Sequence, residues 1–502
     1  MIPVYRATAI PNTPLVHVED GQGRSLVSDD YGEVLKFLLT SSLSLAPASV
    51  PRAVWRLGEF MEAVYHILPK TAVEAIKGKS NRWTQEGDPR YRLYLQPGKF
   101  FSVNINHQEV SFYGISEFFP DGCECWTVDA VQLCANRLEE SFKALGVTHL
   151  THLKSPVAVV EDAGLLDEAY DTLPTREDVP AAARDVLEYA QMCDGREWVE
   201  NYQVGDFPEL WSYDMTAAYP YQASLLPDLR HCNFVKDSCT PSDIGFLRGK
   251  MTIYPDASMS PILAEVDDRL VNPVGVVPRE FFHVQEVKAV LEGGYGSFEA
   301  RGGWYVVPLF SPQDWEATQQ PLDSIMRHWW QKRLDSPDDL TSFLVKRVMN
   351  GIIGRLGEWR KGQPCRLTNP IYHATILTNT SLRVAQFLVD HDVKQSELVT
   401  VNVDGVKVRR RLDVPVPDIS RRGQWHEEGC EPTTVLSPNL RLTGEKREAF
   451  LSALKDNPNQ VAYGDIDLGN LSTMQDRVYR RFPVTGREFL KGPYVSEPVE
   501  VK

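Results

Sequence analysis

The stretch WSYDMTAAYPYQASLLPD (residues 211–228) begins as a strand and ends as a helix. Trp211 and Tyr213 alternate as strand formers do, and Pro220 suits the first turn of the helix that follows. Asp214 is thereby delivered to the end of a strand. Alone, an Asp in that position is ordinarily a helix cap or a turn former, so chemistry there requires company.

Outward from this stretch, ELVTVNVDGVKVRR (397–410) alternates Val399, Val401 and Val403 before Asp404-Gly405, then returns through Val406 and Val408. It reads as a β-hairpin with Asp404 at its tip, because Asp-Gly is a favoured tight-turn dipeptide. Between the two, DDLTSFLVKRVMNGIIGRLGEW (338–359) reads as a helix capped by Asp338 or Asp339, with Leu340, Phe343, Leu344, Val348 and Ile352 on its apolar side. Lys346 and Asn350, four apart, share another face, which Gly351 and Gly354 keep low enough for a nucleotide to approach.

The rest of the chain bounds the reading. Its 502 residues exceed one ordinary core, so two to four structural units are expected. With 42% hydrophobic and 24% charged residues the composition is globular, the start lacks the pattern of a signal peptide, and no run approaches a membrane span. The expected location is the cytoplasm. Eight cysteines form no paired clusters, which speaks against a zinc site or a disulfide framework. A net charge of −15 argues against a protein that coats nucleic acid. The distribution is uneven, however: acidic residues crowd 161–200, while Lys346, Arg347, Arg355, Arg360, Lys361, Lys407, Arg409, Arg410 and Arg411 come later. A basic cleft in an acidic body reconciles the two, with solvated surface charge as the ordinary alternative.

The three stretches, in this order, resemble motifs of family B DNA polymerases. Asp214 to Pro220 is similar to DxxSLYP, Lys346 to Gly354 to KxxxNSxYG, and Thr400 to Gly405 to YxDTDS. Their spacing is similar to that of the compact phage-type, protein-primed branch, with less room between the second and third motifs. Cys193 to Arg196, followed by Glu200, resembles the GGR-type segment before the first motif. Phe281 to Gly294 resembles the insertion between the first two motifs, Ser324 to Lys332 the first fingers helix, Ile376 to Arg383 the helix before the third motif, and Gly423 to Glu427 a GxWxxE-type strand. The departures are Ala217 for the usual Ser, Gly351 and Ile353 in the second motif, and Asn402 for the first Asp of the third.

The resemblance implies an α/β and α+β multidomain fold: an RNase H-like N-terminal domain plus a right-hand polymerase of palm, fingers and thumb. On this reading residues 1–155 form a degenerate exonuclease-like domain and 156–194 a connecting segment. Residues 195–408 form the palm, with an insertion at 231–310 and fingers at 315–360, and 409–502 the rest of the palm and a small thumb. Asp214 and Asp404 become the catalytic carboxylates, holding Mg²⁺ (Mn²⁺ as the alternative) together with the Met215 backbone. Tyr219, Lys332, Lys346 and Asn350 become the deoxynucleoside triphosphate pocket, and Gly195, Arg196, Gly354 and Lys407 DNA contacts. The partners implied are primer-template DNA, deoxynucleotides and a priming protein, with no membrane. Residues 1–180 contain no Asp-x-Glu strand, and FYGISEFFP (112–120) has Gly114 where a metal-binding Asp is expected, so the first domain reads as a scaffold without proofreading. Three alternatives stay open: a catalytically silent polymerase-like DNA-binding protein, a template-independent nucleotidyltransferase, and a nuclease using the first domain. Outside the motifs, pattern predicts helices over 52–68, 129–145 and after Pro180, and others near 315–333 and 338–357.

Overall fold

In the computed structural model, residues 2–501 are described except 79–80, 85–90, 121–124, 126, 194–196, 238, 258–259, 267–268, 272, 311–319, 361, 415, 417, 419, 438–439, 457–488 and 496–498. The chain divides into two units, Met1–Thr172 with Arg327–Ile352 and Leu173–Met326 with Ile353–Lys502. Both mix helices with sheets, and among the described residues no helix is long and apolar enough to cross a membrane.

In the first unit the apolar runs at 91–114 become three antiparallel strands, Tyr91–Gln96, Phe100–Ile105 and Gln108–Gly114. Phe101, Val103, Val110 and Phe112 are buried from this sheet against Leu35 and Leu38 of helix Tyr31–Leu45 and Phe60 and Val64 of helix Leu57–Ile67. The helix expected over 52–68 therefore starts only at Leu57. Arg52–Val54 is instead a buried strand, parallel to Phe112–Gly114. Its Arg52 donates to the carbonyls of Ser42 at 2.9 Å and Ala46 at 2.8 Å, closing the C-terminal end of helix Tyr31–Leu45. Helix Val128–Ala144 lies within one residue of expectation, capped by the Thr127 hydroxyl. Glu19 pairs with Arg6, and Asp20 organises the turn that follows by accepting from the Gln22 and Arg24 amides.

The second unit is built on two larger sheets, beside two short two-stranded ones, among the described residues. The larger runs, in spatial order, Leu440–Leu442, Trp425–Ser437, Gln203–Met215, Gly405–Val408, Leu398–Asn402 and Val199–Asn201, with Tyr494–Val495 pairing to the start of the long central strand. Its pairings are antiparallel, so one face can be dry and the other wet. The dry face packs on helix Pro370–Asp390, where Tyr213, Val406 and Val408 meet Val384, Phe387 and Leu388. The other sheet joins Cys232–Asp237, Gly296–Pro308, Ile244–Ile253, Pro273–Val276 and Val499–Val501 around its own core of Met251, Ile253, Phe282 and Val287. After Pro180 a short 3-10 turn leads into helix Asp185–Cys193. The helix near 315–333 is described over Pro321–Leu334, and the next spans Asp339–Leu356, where Asp338 accepts from the Thr341 amide at 2.9 Å.

Candidate active site

Side chains alternate along a strand, so Tyr213 in the dry core sends Asp214 to the opposite face. Across the sheet, Asn402 pairs with Gly405, Gly405 with Asp214, and Asp214 with His426. Directly opposed residues share a face, so these four form one row. Gly405 leaves the room this row needs: a Cβ there would stand 3.2 Å from Asp214 Oδ1.

The hairpin turns one residue earlier than Asp-Gly suggests. Asn402 opposes Gly405, the loop is Val403-Asp404, and the left-handed residue is Val403 at φ 61°. Such a φ strains a β-branched residue and persists where its surroundings hold it. Here the Val403 amide donates to the Trp198 carbonyl at 2.8 Å, and the Met215 amide donates to the Asp404 carbonyl at 3.0 Å. Asp404 is thus tied by its backbone to the strand end that carries Asp214.

Beyond Met215, Ala217 at φ 51° turns the chain into helix Ala218–Ser224, which places Pro220 in its first turn. Tyr219, second in that helix, donates its hydroxyl to Glu197 Oε1 at 2.8 Å. Burial, with the carboxylates of Glu197 and Asp404, raises its phenol well above the ordinary value. One pair along the strands, Lys407 donates to the Ser212 hydroxyl. Burial and Arg441 lower the Lys407 ammonium, while Glu428 and Glu431 act in the opposite sense. On the core side Glu200 opposes buried Val401, and burial pushes its carboxyl up to about 7 against the pull of Trp198 Nε1 at 3.3 Å. The basic run that follows Lys407 is engaged within the unit, Arg410 with Glu397 at 2.8 Å and Arg411 with Glu427 at 3.0 Å.

Asp214, Met215, Tyr219, Asp404 and Lys407 are therefore gathered on neighbouring elements of the second unit. Lys332, Lys346 and Asn350 belong to the first. Lys332 Nζ lies 3.4 Å from the Leu145 carbonyl and over the Trp329 ring. Lys346 is half-buried and Asn350 exposed. The two glycines expected to keep that face low differ: Gly354 is exposed and a Cβ there would meet open space, whereas a Cβ at Gly351 would stand 2.6 Å from Val157. Gly351 thus serves packing. Gly195 and Arg196 lie outside the described residues.

His426 and Glu428, to which pattern assigned no role, lie beside Asp214. Asp214, His426 and Glu428 offer donor atoms that all lie within 4.8 Å of one another. His426 sits in the GxWxxE-like stretch, but only strand register shows that it faces Asp214. Glu197 is a third omission, visible only once the helix brings Tyr219 onto it.

The fold of the chain resembles that of compact DNA polymerases. The particular structures it resembles are of Phi29 DNA polymerase. The complex with primer-template DNA and incoming nucleotide matches at 10% identity and a TM-score of 0.50, over 87% of this chain and 85% of that one. The post-translocation binary complex matches at 11% identity, a TM-score of 0.52 and coverages of 87% and 86%. The orthorhombic crystal form matches at 12%, 0.51, 88% and 87%. The resemblance drawn from the motifs to the compact phage-type branch thus extends to the fold. No protein-family model and no curated protein matches the sequence.

Proposed function

We propose that the chain is a DNA-directed DNA polymerase, adding deoxynucleotides to a 3′-hydroxyl of primer-template DNA in the replication of a phage or mobile element, within the host cytoplasm. The observation that supports this reading is the backbone bond that ties the turn carrying Asp404 to the strand end carrying Asp214, the Met215 amide donating to the Asp404 carbonyl at 3.0 Å. The donor set fits Mg²⁺: carboxylates at a strand edge, with Gly405 leaving open the space that a Cβ would fill beside Asp214. Asp214, Asp404 and the Met215 backbone would hold the ions, which when bound activate the 3′-hydroxyl and neutralise charge on the departing pyrophosphate.

The chain's own residues then bind and orient. Lys346, assisted by Lys332, pairs with the triphosphate, and Asn350 lines the same pocket. Tyr219, its hydroxyl fixed on Glu197, presents its ring to the sugar and excludes a 2′-hydroxyl. Gly195, Arg196, Gly354 and Lys407 contact DNA. Residues 195–408 are read as palm, with the insertion at 231–310 and fingers at 315–360, and 409–502 as remaining palm and thumb. Residues 1–155 are read as an RNase H-like scaffold without hydrolytic activity, joined through 156–194.

Primer extension with Mg²⁺ tests this. Wild type is expected to extend in a template-directed manner, while Asp214→Ala and Asp404→Ala each abolish extension and retain primer-template binding. Near-wild-type rates in either variant overturn the assignment, and a wild type that binds DNA without extending it is the silent homologue instead.

A further inference from the structure

Three donors of mixed chemistry converge at the row: the Asp214 and Glu428 carboxylates and the His426 imidazole. Their convergence is built by strand pairing. Asp214 opposes His426, Tyr213 opposes Glu427, and Ser212 already opposes Gly429, so Glu428 is an extra residue without a partner across the ladder. Such a bulge re-aims a side chain, and it is here that the Glu428 carboxylate joins the cluster. The imidazole is also oriented. The Thr216 hydroxyl, from the turn just after Asp214, lies 3.1 Å from His426 Nδ1, which leaves Nε2 for an ion.

We propose that Asp214, His426 and Glu428 hold one divalent cation through an imidazole nitrogen and two carboxylates, and that this centre therefore takes Mn²⁺ in preference to Mg²⁺. Mg²⁺ is a hard ion that favours oxygen ligands, whereas imidazole suits first-row transition metals. Donors on one ion stand at most about 4.2 Å apart when each bond is about 2.1 Å. The 4.8 Å spread is thus about 0.6 Å wider than a coordinated set, and Glu428 is the exposed member of the three. This centre rests on the polymerase reading to the extent that it shares Asp214 with it. Asp404 is outside the set, so a polymerase with oxygen ligands alone would still use Asp214 and Asp404.

The test is Mn²⁺ binding by the full chain, read by electron paramagnetic resonance together with spin-echo modulation from coordinated nitrogen. Wild type is expected to show nitrogen modulation that changes on ¹⁵N-histidine labelling. His426→Ala should lose it and bind Mn²⁺ at least about tenfold more weakly. Glu428→Ala, at an exposed position, should keep the nitrogen signal with weakened binding, and Asp404→Ala should keep it too. Absence of nitrogen modulation in the wild type, or its persistence in His426→Ala, overturns the centre. Should His426→Ala fail to fold, the labelled wild type decides alone. Primer extension on the same preparations separates the two readings. Extension without nitrogen coordination removes this centre and leaves the polymerase. Nitrogen coordination lost in His426→Ala, in a chain that extends no primer, upholds the centre and removes the polymerase.

Discussion

Glu200 and Tyr219 show how far a side chain's neighbours, more than its own type, decide its behaviour. Burial raises the Glu200 carboxyl to about 7, above the roughly 4.3 of an unfolded chain. Below about pH 4 both states are protonated and nothing is lost. Between about 4.3 and 7 the unfolded chain ionises first, so stability falls as pH rises, and the loss is complete above the folded value. Glu200→Gln is therefore expected to melt with wild type at pH 4 and above it at pH 8; melting points that run parallel across this range would show the carboxyl to be solvated. Tyr219→Ala is expected to increase ribonucleotide incorporation, because the ring anchored on Glu197 at 2.8 Å is gone. Unchanged sugar discrimination in single-nucleotide insertion assays would return Tyr219 to a packing role. The motif spacing singled out Asp214, Tyr219 and Asp404 as candidates, and these three do lie on neighbouring elements. It could not show His426 or Glu197, since a cross-strand or helix-to-loop neighbour exists only once register is set.

Among the elements, helix Asp339–Leu356 separates two residues that look alike in sequence. Gly354 faces open space, so Gly354→Ala should stabilise by about 1 kcal/mol through helix propensity. A Cβ at Gly351 meets Val157 at 2.6 Å, and Gly351→Ala should cost about 1–3 kcal/mol by overpacking. Urea unfolding of the two variants gives the comparison, and equal effects would mean that helix Pro156–Asp162 does not pack as described. A loss of DNA affinity in Gly354→Ala, with stability raised, would support its assignment to DNA. The helix itself was readable from its period and its Asp338 cap. Its pairing with Val157 was not, because a contact between distant segments leaves no local mark. The same limit moved the hairpin turn by one residue. Asp-Gly is the better turn dipeptide by local preference, yet the tertiary bonds of Val403 and Met215 select Val403-Asp404.

For the molecule as a whole, the question is whether it corrects what it is proposed to synthesise. Excision needs several carboxylates converging on metal ions. In the first unit Glu19 is paired with Arg6, and Asp20 is bonded to Ser41, Arg24 and the Gln22 amide. At Gly114 a Cβ would already stand 3.0 Å from the Leu57 nitrogen, which crowds the place where an acidic side chain is expected. Asp121 and Glu124 lie outside the described residues. The purified protein is expected to leave a mismatched 3′ nucleotide in place with Mg²⁺ or Mn²⁺. Removal that survives in Asp404→Ala but is eliminated by changing a carboxylate of the first unit would prove the scaffold reading wrong. At this scale composition was informative about size and class but silent about partition. That residues Arg327–Ile352 cluster with Met1–Thr172 is a property of the folded chain, not of any composition shift along it.

The tethering of the Asp404 tip through main-chain atoms has a consequence for timing. With the Val403 and Met215 amides both committed to carbonyls of neighbouring segments, displacing the tip requires those bonds to open, a local unfolding event on the microsecond-to-second scale. Rotamer changes of partly exposed side chains take picoseconds to nanoseconds. Side chains at the site can therefore adjust on the faster clock while the backbone that carries Asp404 waits on the slower one. Amide hydrogen exchange at Val403 should accordingly slow when a divalent ion is held by Asp404, because opening the tip would release it.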